Sequence, residues 1–188
     1  MPDLPLIEAV DSFPRAGYQG QAFRHLGPRY SPLNAEGARI HGGRWNPPES
    51  FPTLYLGLDR ETVVGEFYRL ARHQSMPPAA LLPRRLYTYR TELTGVLDLT
   101  TVEALSRVGL SLDDIRSEDP SACQGVGEAA HYVGFEAVRA SSATGSGEVV
   151  AVFYDRLTGD AVVEPVGFEE WTTLPSAHSR DRPPPDLD

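Results

Sequence analysis

The chain has 188 residues, 40% apolar and 23% charged, with a formal net charge of −9 and one cysteine, Cys123. That length fits one domain with a full core, and one cysteine excludes an internal disulfide framework or a cysteine-rich zinc site. The acidic balance argues against a broad nucleic-acid-binding face, and no apolar run is long enough for a membrane span.

In chain order, MPDLPLIEAVDSFPRAG carries acids and no basic region ahead of an apolar core, so no secretory signal is expected. Residues 1–19 read as an irregular, Pro- and Gly-punctuated lead-in to a single domain over 20–174. QAFRHL (21–26) suits a short strand, and residues 28–52 read as one long loop, a length that tends to be functional. TLYLGL (53–58) is a strand, and Asp59 offers an N-cap for a helix through His73 with Val63, Val64, Phe67, Leu70 and Ala71 on its apolar side. RLYTYRTEL (85–93) and GVLDL (95–99) read as two strands. Thr100 with Glu103, then SLDD (111–114), signal two short helices. Residues 121–133 look helical, FEAVRA (135–140) and EVVAVFYD (148–155) look extended, and AVVEPV (161–166) suits a last strand. The tail over 175–188 is expected to be disordered. Strands cluster instead of alternating regularly with helices, so the fold class is α+β: a mixed sheet core with short helices.

All 17 basic residues are arginine, which removes Schiff-base and P-loop lysine chemistry. Between Arg15 and Arg44 the only acid is Glu36, against Arg24, Arg29 and Arg39 within the same stretch. A local positive pocket for a small anion can therefore exist on an acidic protein. No pair of histidines has metal-binding helical spacing, so no metal is expected. GVGEAA (125–130) matches a dinucleotide fingerprint, but SEDPSACQ precedes it where a strand is required, so it reads as helix packing. No nucleophile elbow surrounds Ser141 and Ser142 in RASSATGSG.

HGGRWNPPES (41–50) frees the backbone with two glycines, fixes it with two prolines, and holds Arg44 between them. Tyr55 in the next strand and Glu66 in the next helix follow at equal spacing. An aromatic in a strand is by default a core residue, and Glu66 could simply face water or pair with Arg69 or Arg72.

GARIHGGRWNPPESFPTLYLGLDRETVVGEFYR resembles the core of RES-domain toxins, the toxin half of bacterial toxin–antitoxin pairs, and the resemblance spans about residues 20–155. It implies a fold like that of ADP-ribosyltransferases, with a cleft for NAD+ as substrate. It also implies that Arg44, Tyr55 and Glu66 are the catalytic set, and that Arg24, Arg44, Tyr55 and Ser142 contact the dinucleotide. Arginine forks suit a pyrophosphate, an aromatic face suits cationic nicotinamide, and a carboxylate suits the oxocarbenium character of the ribose as the glycosidic bond breaks. Ser142 would orient the nicotinamide or Glu66. The implied activity is NAD+ phosphorylase or glycohydrolase chemistry, with inorganic phosphate as a possible co-substrate. The implied partner is an Xre-type antitoxin that blocks the cleft in a cytoplasmic hetero-oligomer. The alternative reading is a mono-ADP-ribosyltransferase acting on a cellular protein, although Val64 stands where many arginine-targeting transferases carry a second glutamate. A non-catalytic docking module is disfavoured because every expected site position holds a competent residue.

Overall fold

The structure, a computed structural model, describes residues 2–176. The expected lead-in is not irregular. It contains helix α1 (Leu4–Asp11) and the first part of strand β1 (Ala16–Leu26). Asp3 caps α1 by accepting from the Leu6 N–H at 3.0 Å, and Pro5 lies in the first turn, where its missing N–H removes no hydrogen bond.

The presumed long loop is interrupted by α2 (Glu36–His41) before strand β2 (Thr53–Gly57). Helix α3 (Arg60–His73) starts as expected, with the Asp59 carboxylate accepting from the Thr62 N–H at 2.7 Å. The two strands expected over 85–99 are one continuous strand, β3 (Arg84–Leu99). Three short helices follow: α4 (Val102–Arg107), α5 (Leu112–Arg116) and α6 (Ser121–Tyr132). Thr101, not Thr100, caps α4, whereas the capping box at Ser111 and Asp114 forms as expected. Strands β4 (Ala137–Ser141), β5 (Glu148–Phe153) and β6 (Val162–Trp171) are the last strands among the described residues. Of the tail expected to be disordered, residues 177–188 lie outside the described residues. Within the described part, the Pro175 carbonyl accepts from the Tyr68 hydroxyl at 2.9 Å.

The sheet runs β1-β2-β5-β4-β3-β6, and β1 also pairs with β3. Five strands therefore close on themselves in a barrel-like core, with β6 attached outside on β3. Among the described strands only β3 and β4 run parallel, which makes the sheet mixed. Alternate residues separate two apolar layers, as strand geometry requires. Leu54, Leu56, Val150, Val152 and Ala137 pack into one layer with Tyr87, Tyr89 and Leu93. Ala151, Phe153, Val138 and Ala140 point the other way, into a layer with Trp45, Val126, Ala129 and other residues of the helical cover. Among the described residues no helix is long and apolar enough to cross a membrane.

Glu136 ties the core together. Its fully buried carboxylate accepts from the Thr94 and Gly95 N–H groups, both at 2.8 Å, and from the Thr158 hydroxyl and N–H at 2.5 and 3.2 Å. Burial alone would raise its pKa. The hydrogen bonds from Thr158, Thr94 and Gly95 outweigh that and hold it below the ordinary carboxylate range.

Candidate active site

A cleft of about 520 Å³ opens where the end of β1, the loop after α2, helix α3, the start of β3 and the β4–β5 turn meet. Arg24, Arg44, Arg69 and Arg84 line it together with Tyr55 and Glu66. Of the arginines in the basic stretch noted in the sequence, Arg24 and Arg44 reach this cleft and Arg15, Arg29 and Arg39 do not line it; Arg69 and Arg84 come from later in the chain.

The Gly-rich loop is built around Asn46 and Tyr55. Gly42 takes φ of 75°, and a Cβ there would lie 2.8 Å from the Pro48 nitrogen, so the turn requires glycine. The Gly43 N–H donates to the Asn46 carbonyl at 2.9 Å. The buried Asn46 amide donates to the Ala38 carbonyl of α2 at 2.8 Å. The Tyr55 hydroxyl donates to Asn46 Oδ1 at 2.7 Å and accepts from the Trp45 N–H at 2.8 Å. Its ring lies directly under Gly43, where a Cβ would approach Tyr55 Cε2 to 2.5 Å. Burial pushes the phenol pKa well above its usual value. Tyr55 therefore anchors the loop as well as lining the cleft, a bond that the sequence reading did not foresee. The loop also leans on α6. The Gln124 amide donates to the Gly43 carbonyl at 3.0 Å, and the fit of Gly127 against the Trp45 backbone leaves no room for a side chain. GVGEAA is thus a packing surface inside a helix, not a nucleotide loop. Arg44 Nη1 donates to the Asp114 carbonyl at 3.3 Å, so the loop and α5 both hold it.

Glu66 stands on the face of α3 next to Val63 and Phe67, with its side chain 30% exposed. Ser142, fully buried, donates its hydroxyl to Glu66 Oε1 at 2.8 Å. The other carboxylate oxygen faces Arg69 Nη1 at 3.7 Å. The β4–β5 turn delivers Ser142 because it packs closely on α3: a Cβ at Gly65 would meet Thr144 at 3.4 Å, and Gly147, at φ of 71°, lies so close to Thr62 that a Cβ would collide. Of the two adjacent serines, Ser141 lines the cleft, while Ser142 lies behind Glu66 and bonds to it.

Arg24 is largely buried at the β1 wall. Its Nη1 donates to the Asn34 carbonyl at 3.0 Å and the Pro32 carbonyl at 3.4 Å. Burial lowers its pKa, with partial compensation from Tyr89. The structure thus brings Arg24, Arg44, Tyr55 and Glu66 to one cleft and places Ser142 one bond behind it. Sequence reasoning missed Arg84 and the role of His25. Arg84 follows Pro83 beside a second arginine, which looks like ordinary surface, and only the β1–β3 pairing brings it to His25.

Residues 17–173 match the family model of the RES domain. Over 156 residues, 82% of this chain and 84% of the relative, the sequence is 36% identical to a protein of Mycobacterium bovis named NAD(+) phosphorylase MbcT. The same identity and coverage hold for NAD(+) phosphorylase MbcT of Mycobacterium tuberculosis. Among solved structures, a chain in the M. tuberculosis MbcT–MbcA toxin–antitoxin complex superposes with a TM-score of 0.83 and 32% identity. That match covers 90% of this chain and 93% of the other.

Proposed function

This chain belongs to the RES domain family, and we propose that it is the toxin of a toxin–antitoxin pair that cleaves the nicotinamide–ribose bond of NAD+ by phosphorolysis. The observation that carries the reading is a carboxylate, Glu66, fixed by Ser142 at the wall of an arginine-lined cleft. Residues 20–174 form the NAD+-binding unit in this reading, and its mixed sheet is taken as ADP-ribosyltransferase-like.

The chemistry follows from charge. The C1″–N bond breaks with its electron pair passing to the pyridinium nitrogen, so nicotinamide leaves neutral and positive character grows on the ribose. The Glu66 carboxylate, held in one position, stabilises that charge without reorganising. A phosphate oxygen then bonds C1″ from the opposite face, giving ADP-ribose 1″-phosphate, and the phosphate proton passes to solvent. No covalent enzyme intermediate is needed. Arg24 and Arg44 take the pyrophosphate, and the Tyr55 ring packs against the nicotinamide end. Depleting NAD+, a cytoplasmic metabolite, requires restraint. The toxin–antitoxin complex of the similar structure supports a cognate antitoxin, proposed as Xre-type, that covers this cleft in a hetero-oligomer.

The test is NAD+ turnover by the purified chain with and without inorganic phosphate, with NMR identification of the products. Nicotinamide and ADP-ribose 1″-phosphate, formed only when phosphate is present, are expected. Glu66→Gln is expected to keep the melting temperature within a few degrees and to abolish NAD+ loss. A folded Glu66→Gln protein with undiminished turnover removes Glu66 from the mechanism. NAD+ that stays intact while labelled ADP-ribose appears on lysate protein would move the reading to protein modification.

A further inference from the structure

We propose that Arg84, held in place by His25, forms with Arg24 a subsite for a phosphate group at the β1–β3 end of the cleft. Two N–H groups of the Arg84 guanidinium, Nε and Nη2, point at His25 Nδ1 at 3.1 and 2.9 Å. A ring nitrogen that receives an arginine N–H carries no proton, so His25 is neutral and its proton is on Nε2. The ring is fixed by an edge contact with Phe67, centroids 5.5 Å apart, and a stacked contact with Trp171 at 6.0 Å. Burial, reinforced by the neighbouring Arg84 and Arg24 charges, pushes its pKa down to about 3, so it stays an acceptor across the working pH range. His25 thus aims Arg84 without neutralising it.

The charge balance is the second observation. Among the described residues, Arg39, Arg60, Arg69, Arg85, Arg90 and Arg139 each meet a carboxylate. Neither Arg24 nor Arg84 does, and neither do Arg15, Arg44 and Arg107, of which Arg44 shares the cleft. Arg24 meets backbone carbonyls and Arg84 meets a neutral imidazole. Both Arg24 and Arg84 are partly withdrawn from water, and burial lowers both pKa values; at Arg84, Tyr30 opposes that shift and the Arg24 charge adds to it. Arg24 and Arg84 line the same cleft, and two partly desolvated cations there without a carboxylate partner are unfavourable in the free protein, which a doubly charged anion bound in the cleft relieves. Guanidinium forks present the parallel donors that a phosphate group takes.

The proposal rests on the NAD+ reading only for what carries the phosphate group: the dinucleotide or free inorganic phosphate. Calorimetry on the purified chain tests it without turnover, using inorganic phosphate and ADP-ribose as probes. Arg84→Met is expected to weaken one of them by about tenfold or more, the scale of a lost hydrogen bond to a charged group. Loss for ADP-ribose places the dinucleotide's pyrophosphate there, and loss for inorganic phosphate places the co-substrate there. His25→Leu should reproduce the loss. His25→Asn, whose Oδ1 replaces Nδ1 as acceptor, should restore most of it, which a merely structural role for His25 would not produce. Unchanged affinity for both probes in folded Arg84→Met, or no binding of either probe by the unmodified chain, overturns the proposal. Phosphate-group binding that depends on Arg84 in a chain that never cleaves NAD+ would keep the subsite and discard the activity.

Discussion

The Tyr55 hydroxyl links the Trp45 N–H and the Asn46 side chain, so Tyr55→Phe keeps the ring and removes only the link. Two buried groups of the loop then lack their partner, which costs about 1–3 kcal/mol. The expected result is lower stability by that amount in chemical denaturation and a raised KM for NAD+. Ring stacking alone would leave both unchanged, because phenylalanine stacks as well. The experiment therefore separates the role read from the sequence from the one the structure adds. Arg44, Tyr55 and Glu66 were legible because an unusual loop composition and a family resemblance pointed to them. Ser142 was legible only through the resemblance, since a hydroxyl after a strand is ordinarily a turn bond. Arg84 was not legible at all, because its partner His25 is brought to it by strand pairing across a long sequence separation.

Helix α6 shows at the scale of elements how a weak motif acquires a structural use. Gly125 and Gly127 look equivalent in GVGEAA, yet only Gly127 faces the Trp45 backbone. A Cβ there would come within 1.8 Å of the Trp45 carbonyl oxygen, whereas at Gly125 the nearest atom, on Leu6, is 3.8 Å away. Gly127→Ala must push the loop off the helix, so stability and NAD+ binding should fall together. Gly125→Ala should raise stability by about 0.5–1 kcal/mol, the helical preference of alanine over glycine, with activity unchanged. Thermal melts and NAD+ titrations of the two variants decide it; equal behaviour would mean that α6 does not brace the loop. Other elements were legible in proportion to their local signals. Helix α3 has an aspartate cap and a clear apolar period, and it begins where expected. Helix α1 was hidden because prolines read as breakers although a first-turn position tolerates them. Strand β3 appeared split because Gly95 looked like punctuation. In the fold its N–H donates to Glu136, and a Cβ there would crowd that side chain at 3.1 Å.

For the whole molecule, the sequence supported a mixed α+β sheet but not its closure, since the β1–β3 pairing skips over β2 and no local pattern encodes it. Glu136 braces the closed sheet on its β3–β4 side, because it joins the middle of β3 to the start of β4 and to the segment after β5. Its carboxyl pKa is lower folded than unfolded, so its contribution to stability is complete above the unfolded value, ordinarily about 4.3. It is lost as pH falls through the depressed folded value, because the unfolded chain takes up the proton first. Glu136→Gln puts an amide donor where N–H groups already point. It removes hydrogen bonds to a charged group worth about 1.5–3 kcal/mol each, so a loss of about 3 kcal/mol at neutral pH is expected. The variant should also lose less stability than the unmodified chain between pH 5 and pH 3, since this carboxylate no longer titrates. Urea denaturation across that range measures both effects. Parallel stability–pH curves for the two proteins would show that the acid sensitivity of the fold arises elsewhere and that Glu136 contributes packing alone.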